Sequence, residues 1–219
     1  MSPRNLVFLI TLVVGTVIDQ LTKWWVIANI QVTGVHPSVV PEWSKELPTN
    51  LPVIPGFLDL VHRQNPGAAF SFLADFEYRH VLFLSFSVVA TVIVLDLVRR
   101  LPKTDVFMSM TLGLILSGAF GNAIDRVRQK VVTDFIRVYT DNPDWVVWLR
   151  DTFGTAEYPS FNVADANLVV GVALFLIYTT FFDDTQEVPD DEAADGPVEA
   201  PADAEAPEAE AAGDAEATA

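Results

Sequence analysis

The chain has 219 residues, 51% of them hydrophobic, and a formal net charge of −16. Fourteen of its 29 acidic residues lie in 183–219, where there is no Lys or Arg, so the rest of the chain is nearly neutral. Nucleic-acid binding is excluded because no basic stripe is present to neutralise phosphates, and the lack of cysteine excludes disulfide scaffolds, zinc fingers and thiol nucleophiles.

Four apolar stretches are long enough to cross a bilayer, whose hydrocarbon core of about 30 Å takes about 20 helical residues. They run approximately over residues 6–27, 80–98, 106–124 and 163–182. The first stretch also has the character of a secretory signal peptide, but no small-x-small cleavage site follows it, which favours an uncleaved span. The sequence therefore predicts a membrane-embedded domain over residues 1–182.

The segments between the spans carry different signals. In 28–79, Pro48, Pro52 and Pro55 exclude a long helix and favour extended strands and turns on one membrane face. In the second segment, 125–161, β-branched residues in Lys130–Tyr139 indicate a short strand, and residues 145–149 indicate an interfacial helix. Residues 183–219 are rich in Ala, Pro, Glu and Asp and predict a disordered tail, because they cannot bury enough apolar surface to offset chain entropy.

The charges alone leave the membrane orientation open. The short connector 99–103 holds three basic residues and would be cytoplasmic by the positive-inside rule, which places both termini inside. Five basic residues in the other long segment favour the opposite topology: Arg126, Arg128, Lys130, Arg137 and Arg150. The density of the short connector favours the first arrangement.

Ionisable and amide residues cluster at the ends of the spans. Inserting a charged side chain into a membrane costs about 2.5–3.5 kcal/mol at the centre of a span, so charged residues in a span need a reason to be there. They are Asp19 and Lys23 on the first span, Asn122, Asp125 and Arg126 at the end of the third, and Asn162 and Asp165 at the start of the fourth. The i, i+3 and i+4 spacings place each group on one helical face. With alternate spans antiparallel, all three groups lie at one membrane face, which predicts a polar pocket there.

A further acid, Asp134, follows the third span and forms a possible carboxylate pair with Asp165. Two carboxyl groups that share a site hold one proton between them near neutral pH. Such a pair can take a proton from water and give one to a leaving amine, which hydrolyses a peptide bond without metal or nucleophile. A transporter or proton relay that uses the same acids, and a scaffold that uses them as interhelical contacts, remain open on these residues alone.

Five motifs in order resemble the bacterial lipoprotein signal peptidases, also called signal peptidase II. They occupy residues 19–23, 65–70, 118–126, 132–135 and 161–165, and the resemblance covers essentially all of 1–182. It implies an all-α integral membrane fold with four transmembrane helices, small extracytoplasmic β and loop elements and a disordered C-terminal tail. It also places both termini in the cytoplasm and the active site near the outer face of the inner membrane.

The family activity implied is that of an aspartic endopeptidase that removes signal peptides from diacylglyceryl-modified prolipoproteins, cutting before the lipidated cysteine. The resemblance implies no cofactor and no metal, a monomer in contact with membrane lipid, and inhibition by the cyclic peptide globomycin. Departures from the family pattern are Thr133 in place of Val before the dyad Asp, an insertion over 141–160, an expansion over 35–52, and the acidic tail.

The resemblance also implies roles for individual residues. Asp134 and Asp165 are the expected catalytic dyad, although Asp125, in the Gly-Asn-x-x-Asp-Arg motif, is a competing candidate acid. The expected substrate-binding residues are Asn65, Asn122, Arg126 and Asn162. The expected supporting residues are Asp19, Lys23, Gly67, Gly118, Asp125 and Ala164.

Overall fold

The computed structural model describes residues 1–35, 40–67 and 78–182, which form five α-helices and four short strands. The helices are α1 Pro3–Asn29, α2 Arg79–Arg100, α3 Val106–Gln129, α4 Pro143–Phe153 and α5 Val163–Phe181. The strands are β1 Val32–Thr33, β2 Asn50–Ile54, β3 Leu58–Asn65 and β4 Val132–Val138. The predicted tail, residues 183–219, lies outside the described residues, as do 36–39 of the expanded 35–52 segment and 68–70 of the second motif.

The four predicted spans fall on α1, α2, α3 and α5, each long and apolar enough to cross a membrane. The four-span fold class is therefore confirmed. The strand predicted within Lys130–Tyr139 is β4, and the helix predicted around residues 145–149 is α4.

Helix α3 continues to Gln129, beyond the end predicted at residue 124. A prediction from hydropathy stops where the apolar run stops, but the polar residues that follow stay helical because other protein groups satisfy them. The helix ends at Lys130, whose left-handed φ of 62° closes the last turn.

Helix α3 is the centre of the bundle and packs against α1, α2 and α5. In the most apolar 18-residue stretch of α3, 56% of the residues are buried, whereas the corresponding share is 11% in each of the other three spans. The outer helices turn large apolar side chains such as Val13, Val92 and Val169 outward. Apolar surface of this extent suits contact with lipid, as expected of a multi-pass membrane protein.

A small sheet lies at one end of the bundle, centred on β3. Strand β4 pairs with β3 in antiparallel fashion, with Asp134 opposite Arg63 and Val132 opposite Asn65. Strand β2 is antiparallel to the first half of β3, and β1 runs parallel to it at His62 and Arg63. Val26 and Ile30 of the α1 end pack with Phe135, which fixes the sheet against the bundle.

The opposite end of the bundle holds the N-terminus and the α2–α3 connector. The Arg4 side chain donates to the carbonyl oxygens of Arg99 and Leu101, and its backbone N–H donates to Lys103. The first residues and the basic connector therefore lie at one end of the molecule.

Candidate active site

Polar side chains of α1 and α3 meet where both helices approach the sheet. Lys23 Nζ lies 2.9 Å from Asp19 Oδ2, which confirms the predicted pairing of these residues along one helical face. The same ammonium lies 3.1 Å from Asp125 Oδ2 and 3.0 Å from Asn122 Oδ1. Lys23 is only 2% exposed, so these three oxygens replace water around its charge. We call Asp19, Gln20, Lys23, Asn122 and Asp125 the boundary cluster.

The two acids of the boundary cluster also fix the elements that carry the candidate dyad. Asp19 Oδ1 accepts a hydrogen bond from the Ala164 N–H at 2.9 Å, at the start of α5. Asp125 Oδ2 accepts one from the Thr133 N–H at 3.0 Å, next to Asp134 in β4. Asp19 and Asp125 therefore hold the backbone next to both acids of the candidate dyad, and their supporting role stays a prediction.

Asp134 is 3% exposed, and both of its carboxylate oxygens accept hydrogen bonds from amides. Asn65 Nδ2 donates to Oδ2 at 2.9 Å, and Asn162 Nδ2 donates to Oδ1 at 2.8 Å. The amide of Asn65 is itself oriented, because its Oδ1 accepts from the Gly67 N–H at 2.8 Å. The strand thus presents a buried carboxyl group with fixed donors.

Asp165 lies at the third position of α5, where the sequence Asn162-Val163-Ala164-Asp165 forms a capping box. The Asp165 N–H donates to Asn162 Oδ1 at 3.0 Å, and the Asn162 N–H donates to Asp165 Oδ2 at 3.1 Å. The remaining oxygen, Oδ1, accepts from Asn122 Nδ2 at 2.7 Å. A carboxylate in the first turn of a helix is stabilised by the helix dipole as well as by these donors.

Asn162 connects the two acids, because its side chain accepts from the backbone of Asp165 and donates to Asp134. Its Nδ2 also lies 3.2 Å from Asn122 Oδ1. Asn162 is fully buried, and its hydrogen bond to Asp134 is buried with it. The structure therefore brings the two predicted dyad residues into one hydrogen-bonded network.

The pKa of Asp134 is raised from its ordinary value of 3.8 to about 6. Burial is the largest cause, and the negative charge of Asp165 adds to it. Hydrogen bonds from Asn65 and Asn162 and the charge of Lys23 act in the opposite direction. A carboxyl group with a pKa of about 6 is half-protonated near pH 6, within the range in which a carboxyl group can act as an acid or a base.

Arg126 of α3 contributes a positive charge that acts on both acids. Its guanidinium donates to the carbonyl oxygen of Asn122 at 3.2 Å and lies 4.7 Å from the centre of the Phe83 ring. Its charge interacts with those of Asp165, Asp134 and Asp125. The aromatic contact holds the guanidinium at the site without adding a competing anion.

Small residues allow α3 and α5 to approach closely beside the site. A Cβ at Gly118 would collide with the Ala164 carbonyl oxygen, and one at Gly121 would collide with Asp19. Ala164 itself is fully buried. Gly67 has a φ of +102° and faces the Phe83 ring, so a side chain there is both strained and obstructed.

Sequence reasoning missed two polar residues of this region, Gln20 and Thr133. Gln20 Nε2 lies within 3.2 Å of Asp19 Oδ2, the Gly121 carbonyl oxygen and Asp125 Oδ1. Helical i, i+4 spacing predicts that Asp19 and Lys23 share a face. It does not predict a role for Gln20, which lies next to Asp19 in the sequence and so does not share that face. Thr133, which the sequence marks only as a departure from the family pattern, is fully buried, and its hydroxyl accepts a hydrogen bond from Gln129 at 2.9 Å.

The segment that was predicted as an insertion, 141–160, is joined to the sheet by a second set of charges. Glu157 pairs with Arg63 at 2.9 Å and with Arg137 at 2.8 Å, and Arg137 also lies 3.3 Å from Asp59. These hydrogen bonds and charges lower the pKa of Glu157, while its partial burial acts in the opposite direction. We call Asp59, Arg63, Arg137 and Glu157 the sheet cluster. Among the described residues, neither cluster nor any other group of three His, Asp or Glu could hold a metal ion.

Comparison with known proteins gives a consistent result. A family model described as "Signal peptidase (SPase) II" matches residues 10–182. The chain is 36% identical over 177 residues to a lipoprotein signal peptidase of Geobacter metallireducens, which covers 81% of this chain and 92% of the relative. It is 34% identical over 182 residues to one of Acinetobacter baylyi, covering 83% of this chain and 86% of the relative.

The fold has solved counterparts as well. A bacterial membrane enzyme superposes with a TM-score of 0.60 at 24% identity, over 80% of this chain and 93% of that chain. A second bacterial membrane enzyme gives a TM-score of 0.58 at 23% identity, over 84% of this chain and 93% of that chain. At this identity the likeness concerns the fold alone.

Proposed function

The chain belongs to the signal peptidase II family, and we propose that it cleaves diacylglyceryl-modified prolipoproteins just before the lipidated cysteine. It is a multi-pass membrane endopeptidase of the aspartic type, and its substrates are prolipoproteins. We assign the activity to residues 1–182 and take the chain to act as a monomer.

The observation that carries the mechanism is the network in which Asn162 connects Asp134 with Asp165. In the proposed reaction the ionised carboxylate takes a proton from a water molecule, and the water oxygen attacks the carbonyl carbon of the scissile bond. The protonated carboxyl group of the pair gives its proton to the departing amine as the C–N bond breaks. The pair then holds one proton, as it did before the reaction, and their titration belongs to the pair jointly.

The raised pKa of Asp134 and the capping-box position of Asp165 support opposite roles for the two acids. Asp165 lies in the first turn of a helix and accepts hydrogen bonds from two N–H donors. Asp134 is more deeply buried and holds its proton up to about pH 6. Asp165 is therefore assigned as the base that activates water, and Asp134 as the acid.

The substrate-binding assignment rests on the groups that surround these acids. Arg126 offers its cationic guanidinium beside both carboxyl groups, and Asn65, Asn122 and Asn162 carry amides that match a peptide backbone. A substrate, or globomycin in its place, would take over part of the hydrogen bonding that these amides now give to the acids. The position of this site at a membrane boundary suits a lipid-anchored substrate that arrives laterally in the bilayer.

We also propose that the chain lies in the bacterial inner membrane with both termini in the cytoplasm and the site near the outer face. The basic connector 99–103, beside Arg4, supports this orientation by the positive-inside rule. Of the basic residues at the opposite end, Arg63 and Arg137 are paired with acids. A count of all basic residues at that end therefore overstates the positive charge that is not paired with an acid.

A labelling experiment tests this orientation. A membrane-impermeant thiol reagent added to intact cells should label a single cysteine placed at Asp151 and not one placed at Lys103.

The decisive test of the substrate class compares two peptides in detergent. The purified chain should cleave a prolipoprotein peptide whose cysteine carries diacylglycerol, and globomycin should block the cleavage. The same peptide without the lipid should remain uncut. Equal cleavage of both peptides would contradict the lipid requirement, and cleavage of neither would contradict the proposed activity.

A further inference from the structure

Lys23 is completely enclosed by oxygen atoms of α1 and α3. Its ammonium has three N–H donors, and three acceptors lie within 3.1 Å: Asp19 Oδ2, Asp125 Oδ2 and Asn122 Oδ1. Two of these are carboxylates, whose two negative charges more than balance the single charge of Lys23. The third acceptor is the neutral amide of Asn122, which adds nothing to the charge balance. Its contact with Lys23 therefore needs a different explanation.

The contact with Asn122 decides which way the amide points. An ammonium group only donates, so the amide must turn its oxygen toward Lys23 and its NH₂ group away. The NH₂ group then faces Asp165, where Nδ2 lies 2.7 Å from Oδ1. The reversed amide would put two donors together at Lys23 and two acceptors together at Asp165, and both contacts would be repulsive in a buried site.

The polarity of Asn122 continues into the neighbouring amide. Asn122 Oδ1, held by Lys23, also accepts from Asn162 Nδ2 at 3.2 Å. The same Nδ2 donates to Asp134 Oδ1 at 2.8 Å, while Asn162 Oδ1 accepts from the Asp165 N–H. One cation therefore orients two amides, and together these amides present N–H groups to both acids.

We propose that Lys23 is a positioning residue that sets the direction of the Asn122 and Asn162 amides and so keeps donors aimed at Asp134 and Asp165. The inference rests on the proposed function, because it takes these two acids as the reacting pair. The charged groups that surround the amides are Asp19 of α1, Asp125 and Arg126 of α3, Asp134 of β4 and Asp165 of α5. Of these, Asp19 and Asp125 are paired with Lys23.

The test removes the Lys23 donor. The double variant Lys23→Met/Asp125→Asn loses one charge of each sign and so keeps the net charge of the wild-type boundary cluster. Asp125→Asn alone, which keeps the Lys23 donor, is the control for the Asp125 substitution. Relative to that control, we expect kcat to fall at least about 10-fold. The acid limb of the pH–rate profile should also move about half a unit to one unit toward higher pH, because ionised carboxylates lose a fixed donor and a nearby cation.

A double-mutant cycle separates orientation from simple structural support. In an Asn122→Ala background, the same replacement of Lys23 should cost less than about 2-fold, because the amide through which it acts is absent. Equal losses in both backgrounds, or an acid limb that does not move, would overturn the inference. Thermal unfolding in detergent establishes that each variant is folded.

If the double variant does not fold, Lys23→Arg becomes the deciding variant, because arginine also donates and never accepts. It should keep the acid limb of the wild type, and a shifted limb would refute the orienting role. Failure of the proposed function is recognised separately. Full activity of Asp134→Asn or Asp165→Asn would show that these acids are not the reacting pair and would contradict the proposed function. If the dyad variants are inactive but the losses of activity from the Lys23 and Asn122 substitutions are additive, only the orienting role of Lys23 is refuted.

Discussion

The boundary cluster and the sheet cluster use the same kinds of charged side chain in different surroundings. In the boundary cluster, Asp19 and Lys23 are at most 2% exposed, and nearly every polar atom has a protein partner. In the sheet cluster, Arg63 and Glu157 remain 35% and 30% exposed. Water can replace a lost partner in the second cluster but not in the first, so the two should respond very differently to substitution.

The boundary cluster and the sheet cluster also have different roles. The buried cluster fixes backbone and amide positions at the carboxyl groups of the proposed dyad, where an error of about 1 Å costs about 100-fold in rate. The sheet cluster joins the 141–160 segment to β3 and β4, and its ion pairs include neither acid of the proposed dyad, although Arg63 lies opposite Asp134 in the strand pairing. Substitutions in or beside the buried network should therefore change chemistry, and substitutions in the sheet cluster should change little.

The largest expected loss of activity follows substitution of the proposed dyad. Asp134→Asn and Asp165→Asn should each lower kcat by at least about 1,000-fold, since an amide can neither take a proton from water nor give one to the amine. Both variants should keep the wild-type fold, as judged by circular dichroism and gel filtration. Asp96→Asn, an exposed acid near the opposite end of the bundle, is the matched control and should keep full activity.

The pH dependence of stability gives the next largest effect. The folded protein raises the pKa of Asp134 from 3.8 to about 6, so this group's stabilising contribution is complete below about pH 4 and is lost as pH rises through about 6. The difference in unfolding free energy between wild type and Asp134→Asn should change over that interval by up to about 3 kcal/mol, to the disadvantage of the wild type. Thermal unfolding in detergent from pH 4 to pH 8 measures it. A difference independent of pH would contradict the raised pKa.

The close contact of α3 with α5 should be the next most sensitive feature. Gly118→Ala places a methyl group against the Ala164 carbonyl oxygen and the Leu168 backbone. The helices must separate, which should cost about 1–3 kcal/mol and shift Asn122 relative to Asp165. Val92→Ala, on the outer surface of α2, is the control and should change the melting temperature far less. Equal effects of the two substitutions would argue against a tight helix contact.

The smallest expected effect belongs to the sheet cluster. Glu157→Gln weakens two half-exposed ion pairs and should change the unfolding free energy by less than about 1 kcal/mol. Cleavage of the lipidated peptide should stay within about 3-fold of the wild type. A loss comparable to that of the dyad variants would mean that the 141–160 segment takes part in the chemistry.

The sequence predicts the parts of this fold that depend on local patterns. The spans follow from apolar length, and the Asp19–Lys23 pair follows from helical spacing. The Asn162–Asp165 spacing points to one helical face, and the structure adds that the two residues cap each other. Helical periodicity alone cannot place Asp134 beside Asp165, because that requires β4 to return over the membrane boundary.

Other features depend on contacts that no local pattern encodes. The end of α3 at Gln129 depends on the left-handed conformation of Lys130, a non-glycine residue, and Gln20 acts through a long side chain rather than through its helical face. The three partners of β3 cannot be deduced from alternation in single strands. The resemblance to signal peptidase II supplied the pairing of Asp134 with Asp165 that elementary reasoning left as one possibility among several.

The central claim, that the acid pair activates water directly, is tested by a single turnover in H₂¹⁸O. With enzyme in excess over a diacylglyceryl prolipoprotein peptide, mass spectrometry of the released signal peptide shows the origin of its new carboxylate oxygen. Direct attack by water predicts one ¹⁸O atom in the product of the first turnover. An unlabelled product would mean that an enzyme carboxylate had attacked the peptide itself, and the mechanism proposed for Asp134 and Asp165 would then be wrong.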